Sequence, residues 1–228
     1  QHATTFTYDS QGHMLTQIDP LNHTSSYTYD TSGNRITETD PNSNTTSYSY
    51  DSLGRVTQIT YPGNKTKSYT YQGPDLIAET DEENHTTTYT YDGMHRRIAT
   101  TDPLGHSTTY TYDAAGRQVA VTDPLSHITT STYDAAGRGI ASTDPLSNAT
   151  TYVYDDAGRQ IATVDAASHR TTSTYDALGR VIARTDPLGH ITTTTYDAAG
   201  RQITVTDANN HTTTSAYDKA GRLISVTN

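Results

Sequence analysis

The sequence predicts an all-β protein in which about eleven β-hairpin repeats join into one continuous, curled or spiralling antiparallel sheet. Three observations predict this fold: a motif that recurs every 21 residues, two turn signals in each copy, and segments rich in Thr, Tyr, Ile and Val between the turns. We therefore expect residues 1–228 to form a single repeat array without a capping unit.

The period is set by a recurring Tyr, which Asp follows in ten of the eleven copies. The spacing is 21 residues except between Tyr71 and Tyr91, where it is 20, and Gln72 replaces the Asp after Tyr71. A disordered tract does not hold one register over eleven copies, so the low hydrophobic content of 32 % does not indicate disorder. We call these residues the repeat tyrosines: Tyr8, Tyr29, Tyr50, Tyr71, Tyr91, Tyr112, Tyr133, Tyr154, Tyr175, Tyr196 and Tyr217.

Two turn signals divide each repeat. The first turn has the pattern Asp-x-x-Gly, as in Asp113 to Gly116 and Asp134 to Gly137, where Gly accommodates a positive φ. The second turn begins with Asp-Pro-Leu, as at Asp102. Because Pro or Gly interrupts the chain about every ten residues, helices are excluded and the segments between turns are predicted to be strands.

A four-residue Asp-x-x-Gly loop predicts the pairing within each hairpin. It places each repeat tyrosine opposite the residue five positions later, so that Tyr154 pairs with Arg159 and Tyr152 pairs with Ile161. One face then carries Tyr, Ile and Arg, and the other carries Thr. We expect the Tyr/Ile face to be the interior and the Thr face to contact solvent. Further members of the first face are Arg117, Arg138 and Ile140.

The repeats between residues 57 and 81 depart from the pattern. Tyr61-Pro62 replaces Asp-Pro, and one residue is missing before Tyr91. We expect the curvature or the strand pairing of the sheet to be disturbed there.

The composition excludes several classes of protein. The absence of Cys excludes disulfides and thiolate metal sites, and a net charge of −10 argues against nucleic-acid binding, which requires a basic face. No apolar run is long enough to span a membrane, and no leader of charged and then apolar residues is present.

Histidines occupy one column of the repeat, near the second turn. Equivalent residues of successive hairpins are separated by two strands, about 9.6 Å, whereas zinc holds its ligands at about 2 Å. We therefore predict no shared metal ion, and expect each His to bond to its own Asp-Pro loop. The column comprises His2, His23, His85, His106, His127, His169, His190 and His211.

The Asp and Arg residues that recur in the turns are interpreted as structural residues that stabilise the turns. One carboxylate per turn is a sparse set for calcium, and an Asp that opens a turn commonly bonds to its own backbone. We expect an Arg–Asp contact across each first turn, with partial stacking of Arg on Tyr. Ser, His and Asp recur in every repeat, whereas catalysis needs one singular arrangement. We therefore predict no catalytic residue, no cofactor and no enzymatic activity.

Six Asn-x-Thr sequons lie in or near the second turns. They are candidate glycosylation sites in a secreted protein. Their asparagines are Asn22, Asn44, Asn64, Asn84, Asn148 and Asn210.

The combination of Tyr-Asp-x-x-Gly-Arg with Thr-Asp-Pro-x-Gly-His, at a period of 21 residues, closely resembles the RHS or YD repeat. This family includes bacterial polymorphic toxins, insecticidal toxin-complex shells, wall-associated proteins and teneurins. The resemblance implies a sheet that spirals into a hollow shell. It also implies a self-cleaving region and cargo after the repeats. This sequence ends at Asn228 inside a repeat, so we expect no autoproteolysis and no toxic cargo.

These observations favour a non-enzymatic structural scaffold, extracellular or at the cell surface, that builds a fibre by end-to-end continuation. Its partners are then copies or further repeats of the same chain, which pair with the open sheet edges. Two alternatives remain open. One is an excised segment of a toxin-type shell that encloses cargo. The other is an adhesion or carbohydrate-binding module, which requires outward-facing Tyr rings.

Overall fold

The computed structural model describes residues 3–228, and its regular structure is entirely β-strand. Its 22 strands belong to one antiparallel sheet, with two strands per repeat, which confirms the predicted hairpin array. The strands are β1 Thr5–Tyr8, β2 Met14–Ile18, β3 Thr24–Tyr29, β4 Arg35–Thr39, β5 Thr45–Tyr50, β6 Val56–Thr60, β7 Thr66–Gln72, β8 Asp75–Thr80, β9 Thr86–Tyr91, β10 Arg97–Thr101, β11 Ser107–Tyr112, β12 Gln118–Thr122, β13 Ile128–Tyr133, β14 Gly139–Thr143, β15 Ala149–Tyr154, β16 Gln160–Val164, β17 Arg170–Tyr175, β18 Val181–Thr185, β19 Ile191–Tyr196, β20 Gln202–Thr206, β21 Thr212–Tyr217 and β22 Leu223–Thr227.

Two compact units divide the chain, residues 1–110 and residues 111–228. In the first unit the strands from β1 to β11 pair in chain order, and in the second the strands from β12 to β22 do so. In the part of the chain that the structure describes, no helix has the length and apolar character needed to cross a membrane.

Each unit is a single layer of sheet. Within a unit, the strands that contact one another are neighbours in the sequence, so among residues 3–228 no second layer packs on the sheet. Among residues 3–228, Ala162 is the one buried hydrophobic side chain, with 3 % of its surface exposed. Stability therefore depends on the hydrogen-bond ladder and on contacts between adjacent repeats, because there is almost no core to supply it.

The predicted pairing within the hairpins is wrong by one residue at the turn and by two residues beyond it. Tyr154 lies opposite Gln160, not Arg159, and Tyr152 lies opposite Thr163, not Ile161. The turn is closed by a hydrogen bond in which the Asp155 N–H donates to the Arg159 carbonyl at 3.0 Å. These two residues form the closing pair of the turn, and three residues lie between them. A β-bulge after Gln160 then absorbs Ile161.

Although the predicted pairing is wrong, Tyr and Ile share one face of the sheet, as expected from the sequence. Ile161 lies two residues before Thr163, so alternation places it on the same face as Tyr152 and Tyr154. These three side chains are half-buried, whereas Thr151 on the other face is exposed. The Tyr/Ile face is not an interior, however, because none of its large side chains is fully buried and Ala162 lies on the opposite face.

Both turns have the same backbone conformation, although their sequences differ. In the first turn the left-handed residue is usually Gly, such as Gly137 with φ of 84°, and in the second it is Ser, Asn or Gly, such as Ser147 with φ of 67°. The sequence pattern did not predict that residues other than Gly occupy the left-handed conformation. The non-glycine residues with positive φ are Asn22, Ser43, Asn64, Asn84, His95, Ser126, Ser147, Ser168 and Asn210.

The hairpin of β7 and β8 differs from the others at its tip. Gln72 pairs directly with Asp75, so only Gly73 and Pro74 connect the strands, and Gly73 has φ of 56°, as the first position of a type II′ turn requires. Farther from the tip, Ser68 still pairs with Thr80. The missing residue thus shortens one turn and leaves the pairing beyond it in place.

Replacing Ser147 with Gly should stabilise the protein by about 0.5–1 kcal/mol, because Gly removes the steric cost of the left-handed conformation. Urea denaturation at neutral pH measures the change. The matched control is Ser142→Gly in β14, which should destabilise, because Gly weakens an extended strand. A Ser147→Gly variant of equal or lower stability contradicts this account.

Candidate functional site

The first turn is organised by one carboxylate. Asp134 accepts hydrogen bonds at Oδ1 from the backbone N–H groups of Ala136 and Arg138, both at 2.9 Å. Its Oδ2 accepts from Nε of Arg138 at 2.6 Å. The side chain therefore closes the turn by binding two backbone donors and one cation, and the predicted Arg–Asp contact across the first turn is confirmed.

Six turn arginines also reach the following repeat. The Arg138 guanidinium carbon lies 4.8 Å from the ring centre of Tyr154, and its Nη1 donates to the Asp155 carbonyl at 3.3 Å. The predicted stacking of Arg on Tyr is thus present, but on the tyrosine of the next repeat. The distance between guanidinium carbon and ring centre is 4.1 to 5.0 Å for Arg55, Arg117, Arg138, Arg159, Arg180 and Arg201.

The repeat tyrosines connect back to the preceding repeat. The Tyr154 hydroxyl donates to the carbonyl of Gly139 at 2.8 Å, and this carbonyl lies in the bulge where the ladder skips a residue. At the junctions of Tyr133, Tyr154, Tyr175, Tyr196 and Tyr217 both contacts are present, an arginine pointing forward and a hydroxyl pointing back. The same hydroxyl bond occurs at Tyr29, Tyr50, Tyr133, Tyr154, Tyr175, Tyr196 and Tyr217.

The second turn uses the same geometry with histidine in place of arginine. His127 Nδ1 lies 2.8 Å from Asp123 Oδ2, and the His127 N–H donates to Asp123 Oδ1 at 2.9 Å. His106 contacts Asp102 in the same way. The described histidines of this column thus bond to their own turns, as predicted, while His2 lies outside the described residues.

No arrangement for a metal ion is found within residues 3–228, where no three His, Asp or Glu side chains converge. The carboxylates of both turns are instead occupied by their own backbone and side-chain donors. These bonds hold the pKa of the turn aspartates below its usual value. For Asp134 the largest cause is the backbone N–H of Arg138, and for Asp102 it is the His106 side chain.

The sequon asparagines hold structural positions in the turns. Asn22, Asn64, Asn84 and Asn210 are left-handed residues of second turns. The side-chain amides of Asn44 and Asn148 donate to the carboxylates of Asp40 and Asp144. Glycosylation of the six stays a prediction.

The shortened hairpin contains a further junction feature that the sequence pattern did not predict. Asp75 stands where other first turns carry their closing residue, and its Oδ2 lies 2.8 Å from Nδ1 of His95 in the next first turn. A cleft of about 650 Å³ opens there, lined by both residues together with Tyr91. The missing residue before Tyr91 signalled an irregularity but not its chemistry.

A sequence model of one family, described as RHS Repeat, matches most of the chain. The matched stretches are residues 8–45, 29–66, 69–107, 97–128, 133–170, 175–212 and 196–228. No curated protein matches the sequence.

Several solved structures have a similar fold. The crystal structure of TcdB2-TccC3-Cdc42, and that of TcdB2-TccC3 without its hypervariable C-terminal region, each match with a TM-score of 0.53 and 17 % identity over 99 % of this chain. The Photorhabdus luminescens Tc holotoxin pore, mutated in TccC3, matches with a TM-score of 0.52 and 17 % identity over 98 %. This chain spans 15 to 17 % of the matched chains, and identity this low establishes the fold alone.

Replacing Arg138 with Met should lower the free energy of unfolding by about 1 kcal/mol, because both its bond to Asp134 and its contact with Tyr154 are lost at a partly exposed site. The control is Arg184→Met, since the structure gives Arg184 no ion pair within residues 3–228. Denaturant unfolding compares the two variants. Equal stabilities would refute a role for the arginine in joining repeats.

Stability should decrease as the pH falls into the acid range. The turn aspartates have lowered pKa values in the folded state, so their contribution is complete above the unfolded value of about 3.9 and is lost as the pH falls below it. Urea unfolding from about pH 7 to about pH 2 measures the slope. The Asp165→Asn variant should have a shallower slope, and an unchanged stability in acid would contradict this prediction.

Proposed function

This chain belongs to the RHS repeat family, and from that premise we propose that it forms a segment of the wall of an RHS-type shell, a non-enzymatic scaffold that encloses cargo. One observation carries the proposal: 98 to 99 % of the chain aligns with 15 to 17 % of much longer chains, in the structures of TcdB2-TccC3-Cdc42 and of a Tc holotoxin pore. A wall segment is expected to match in this way, as a contiguous portion of a larger array.

The single-layer architecture supports a wall. A sheet that encloses a space has one layer between its inside and its outside, so few side chains lose all contact with solvent. Within each unit only neighbouring strands are in contact, and the one buried hydrophobic side chain among the described residues is Ala162. Contacts between successive repeats, such as those of Arg138, replace the missing core.

The fibre expected from the sequence has weaker support. The similarity to toxin-complex chains favours the shell segment, and no observation favours end-to-end assembly over it. The carbohydrate-binding alternative is disfavoured because the repeat tyrosines are occupied: Tyr154, for example, has the Arg138 guanidinium on its ring and its hydroxyl bonded to Gly139.

Partners and location complete the proposed function. The natural partners of this segment are further repeats of the same kind, which continue the sheet at its open edges. We propose an extracellular or cell-surface location, with glycosylation as a further element, on the basis of the family resemblance alone. A net charge of −10 gives no basis for a nucleic-acid partner.

Electron microscopy and analytical ultracentrifugation across a concentration series test the proposal. A wall segment should remain as single particles of constant mass, because a shell wall is continued by repeats of its own polypeptide and does not require pairing between separate molecules. The control variant is Val226→Lys in β22, which places a charge on the terminal strand and blocks edge pairing. This change should leave the particles as they are.

Long filaments of uniform width that grow with concentration and disappear in the Val226→Lys variant would overturn the shell assignment. They would show that the two edges pair with each other and that fibre formation is the function.

A further inference from the structure

At two first turns that lack a cation to cover the next repeat tyrosine, a cleft opens beside that tyrosine. Asn34 replaces the turn arginine before Tyr50, and a cleft of about 490 Å³ is lined by both residues. Asp75 stands in that place before Tyr91, and a cleft of about 650 Å³ is lined by both. Where His13 occupies the position, its ring stacks on Tyr29 at 4.8 Å instead.

We propose that the cleft formed by Asp75, Tyr91, Asp92 and His95 binds an alkylguanidinium group, the chemistry of an arginine side chain supplied by another molecule. The bound group takes the place that the protein's own arginine occupies in the regular repeats. This inference does not depend on the shell assignment.

The pairing register identifies the vacancy. Gln72 lies opposite Asp75 as the closing pair of its turn, which corresponds to Asp134 and Arg138 in a regular repeat. The arginine position therefore carries a carboxylate of opposite charge. The Asp75 side chain is only 17 % exposed, so a cation bound there is partly shielded from water, which strengthens their attraction.

Tyr91 supplies the stacking surface. Within residues 3–228 the structure gives its ring no covering cation, and its hydroxyl lacks the bond to the preceding repeat that Tyr133 and Tyr154 make. A planar guanidinium stacks on a Tyr face and simultaneously donates in its own plane to a carboxylate. An ammonium ion is a point charge and matches only part of this arrangement.

A backbone carbonyl completes the site. In regular junctions the arginine Nη1 donates to the carbonyl of the next turn aspartate, as Arg138 does to Asp155. The equivalent acceptor in the cleft is the Asp92 carbonyl, which accepts the turn bond from the His95 N–H and retains a second lone pair. The Asp92 carboxylate itself is occupied by Arg96, so Asp75 is the carboxylate that a guest cation meets.

His95 regulates access to Asp75. In regular repeats this position is Gly, and a Cβ on Gly137 would lie 3.7 Å from Nη1 of Arg117. Here no arginine arrives, and the residue is a His with φ of 60° whose Nδ1 contacts Asp75. Its side chain is 59 % exposed, so it can be displaced from the carboxylate without losing a buried contact.

The Asn34 cleft is the internal control. Its turn residue is neutral, and the carboxylate of Asp30 is occupied by the Asn34 amide at 2.9 Å. The Asp51 carboxylate nearby is paired with Arg55. This cleft therefore has an aromatic wall without an available anion, and it should not bind a guanidinium.

The test is an NMR titration of the whole chain with N-butylguanidinium. Resonances of Asp75, Tyr91 and His95 should shift together and saturate with a dissociation constant on the order of 1 mM, as expected for one ion pair and one stacked ring at an open cleft. N-butylurea, which has the same shape without the charge, should leave them unshifted. No saturable shift with N-butylguanidinium, or equal shifts with N-butylurea, overturns the proposal.

Four variants assign the contacts. Asp75→Asn should weaken binding by about tenfold, and Tyr91→Ala should weaken it severalfold, whereas Tyr50→Ala in the control cleft should have no effect. His95→Gly restores the residue of the regular repeats and should strengthen binding by about threefold, because Asp75 is then free. Unchanged affinity in both Asp75→Asn and His95→Gly refutes the site, and neither change removes a buried side chain.

Two further measurements complete the test. N-acetyl-arginine-N-methylamide represents arginine within a polypeptide: an affinity equal to that of N-butylguanidinium supports a protein guest, and binding of N-butylguanidinium alone supports a small guest. Arg138→Ala should create a second N-butylguanidinium site over Tyr154, beside the released Asp134 carboxylate. If N-butylguanidinium does not bind to the Arg138→Ala variant at this position, a carboxylate beside an uncovered Tyr ring is not sufficient to bind a guanidinium group, which contradicts the proposal.

Discussion

The hydrogen bonds of one aspartate, present at every turn except those that begin at Tyr61 and Gln72, organise both the hairpins and the junctions between them. The carboxylate of Asp134 binds two backbone N–H groups of its own turn, which fixes the turn, and it also binds the Arg138 side chain. A fixed turn fixes the register of its hairpin, because each strand begins at a defined residue. Held in place, the arginine contacts the next tyrosine, so a local turn interaction also joins adjacent repeats.

A single layer of sheet makes these junctions necessary. With Ala162 the one buried hydrophobic side chain among the described residues, burial of apolar surface supplies little of the stability. Polar and cation–ring contacts between neighbours take its place, and they act on half-buried groups, where each is modest. Repetition compensates, since every added hairpin contributes another junction of the same kind.

The irregular repeats show which features of a turn depend on its backbone conformation and which depend on its side chains. The turn from Tyr61 to Lys65 keeps both backbone bonds of the other turns without any aspartate, so the chain conformation tolerates loss of the carboxylate. The turn at Gly73 and Pro74 is one residue shorter than the others. There the carboxylate of Asp75 occupies the position of the arginine, and the ring of Tyr91 is left without a cation over it. Irregular repeats therefore differ from the regular ones in the chemical groups exposed at their junctions.

The amino-acid sequence was enough to predict the fold class, the hairpin period and the Arg–Asp and His–Asp contacts, because these depend on local turn chemistry that repeats in every copy. The strand register could be determined only from the structure. The left-handed residue lengthens the turn by one residue, and the β-bulge leaves a second residue unpaired, as Ile161 is left after Gln160. The alternation of side chains in the sequence shows neither of these. The stacking partner of Arg138 was likewise undetermined, because Tyr154 approaches it only when two hairpins lie side by side. The Asp75 cleft arises from the same cause: a missing residue is visible in the sequence, but the group it uncovers belongs to the next repeat.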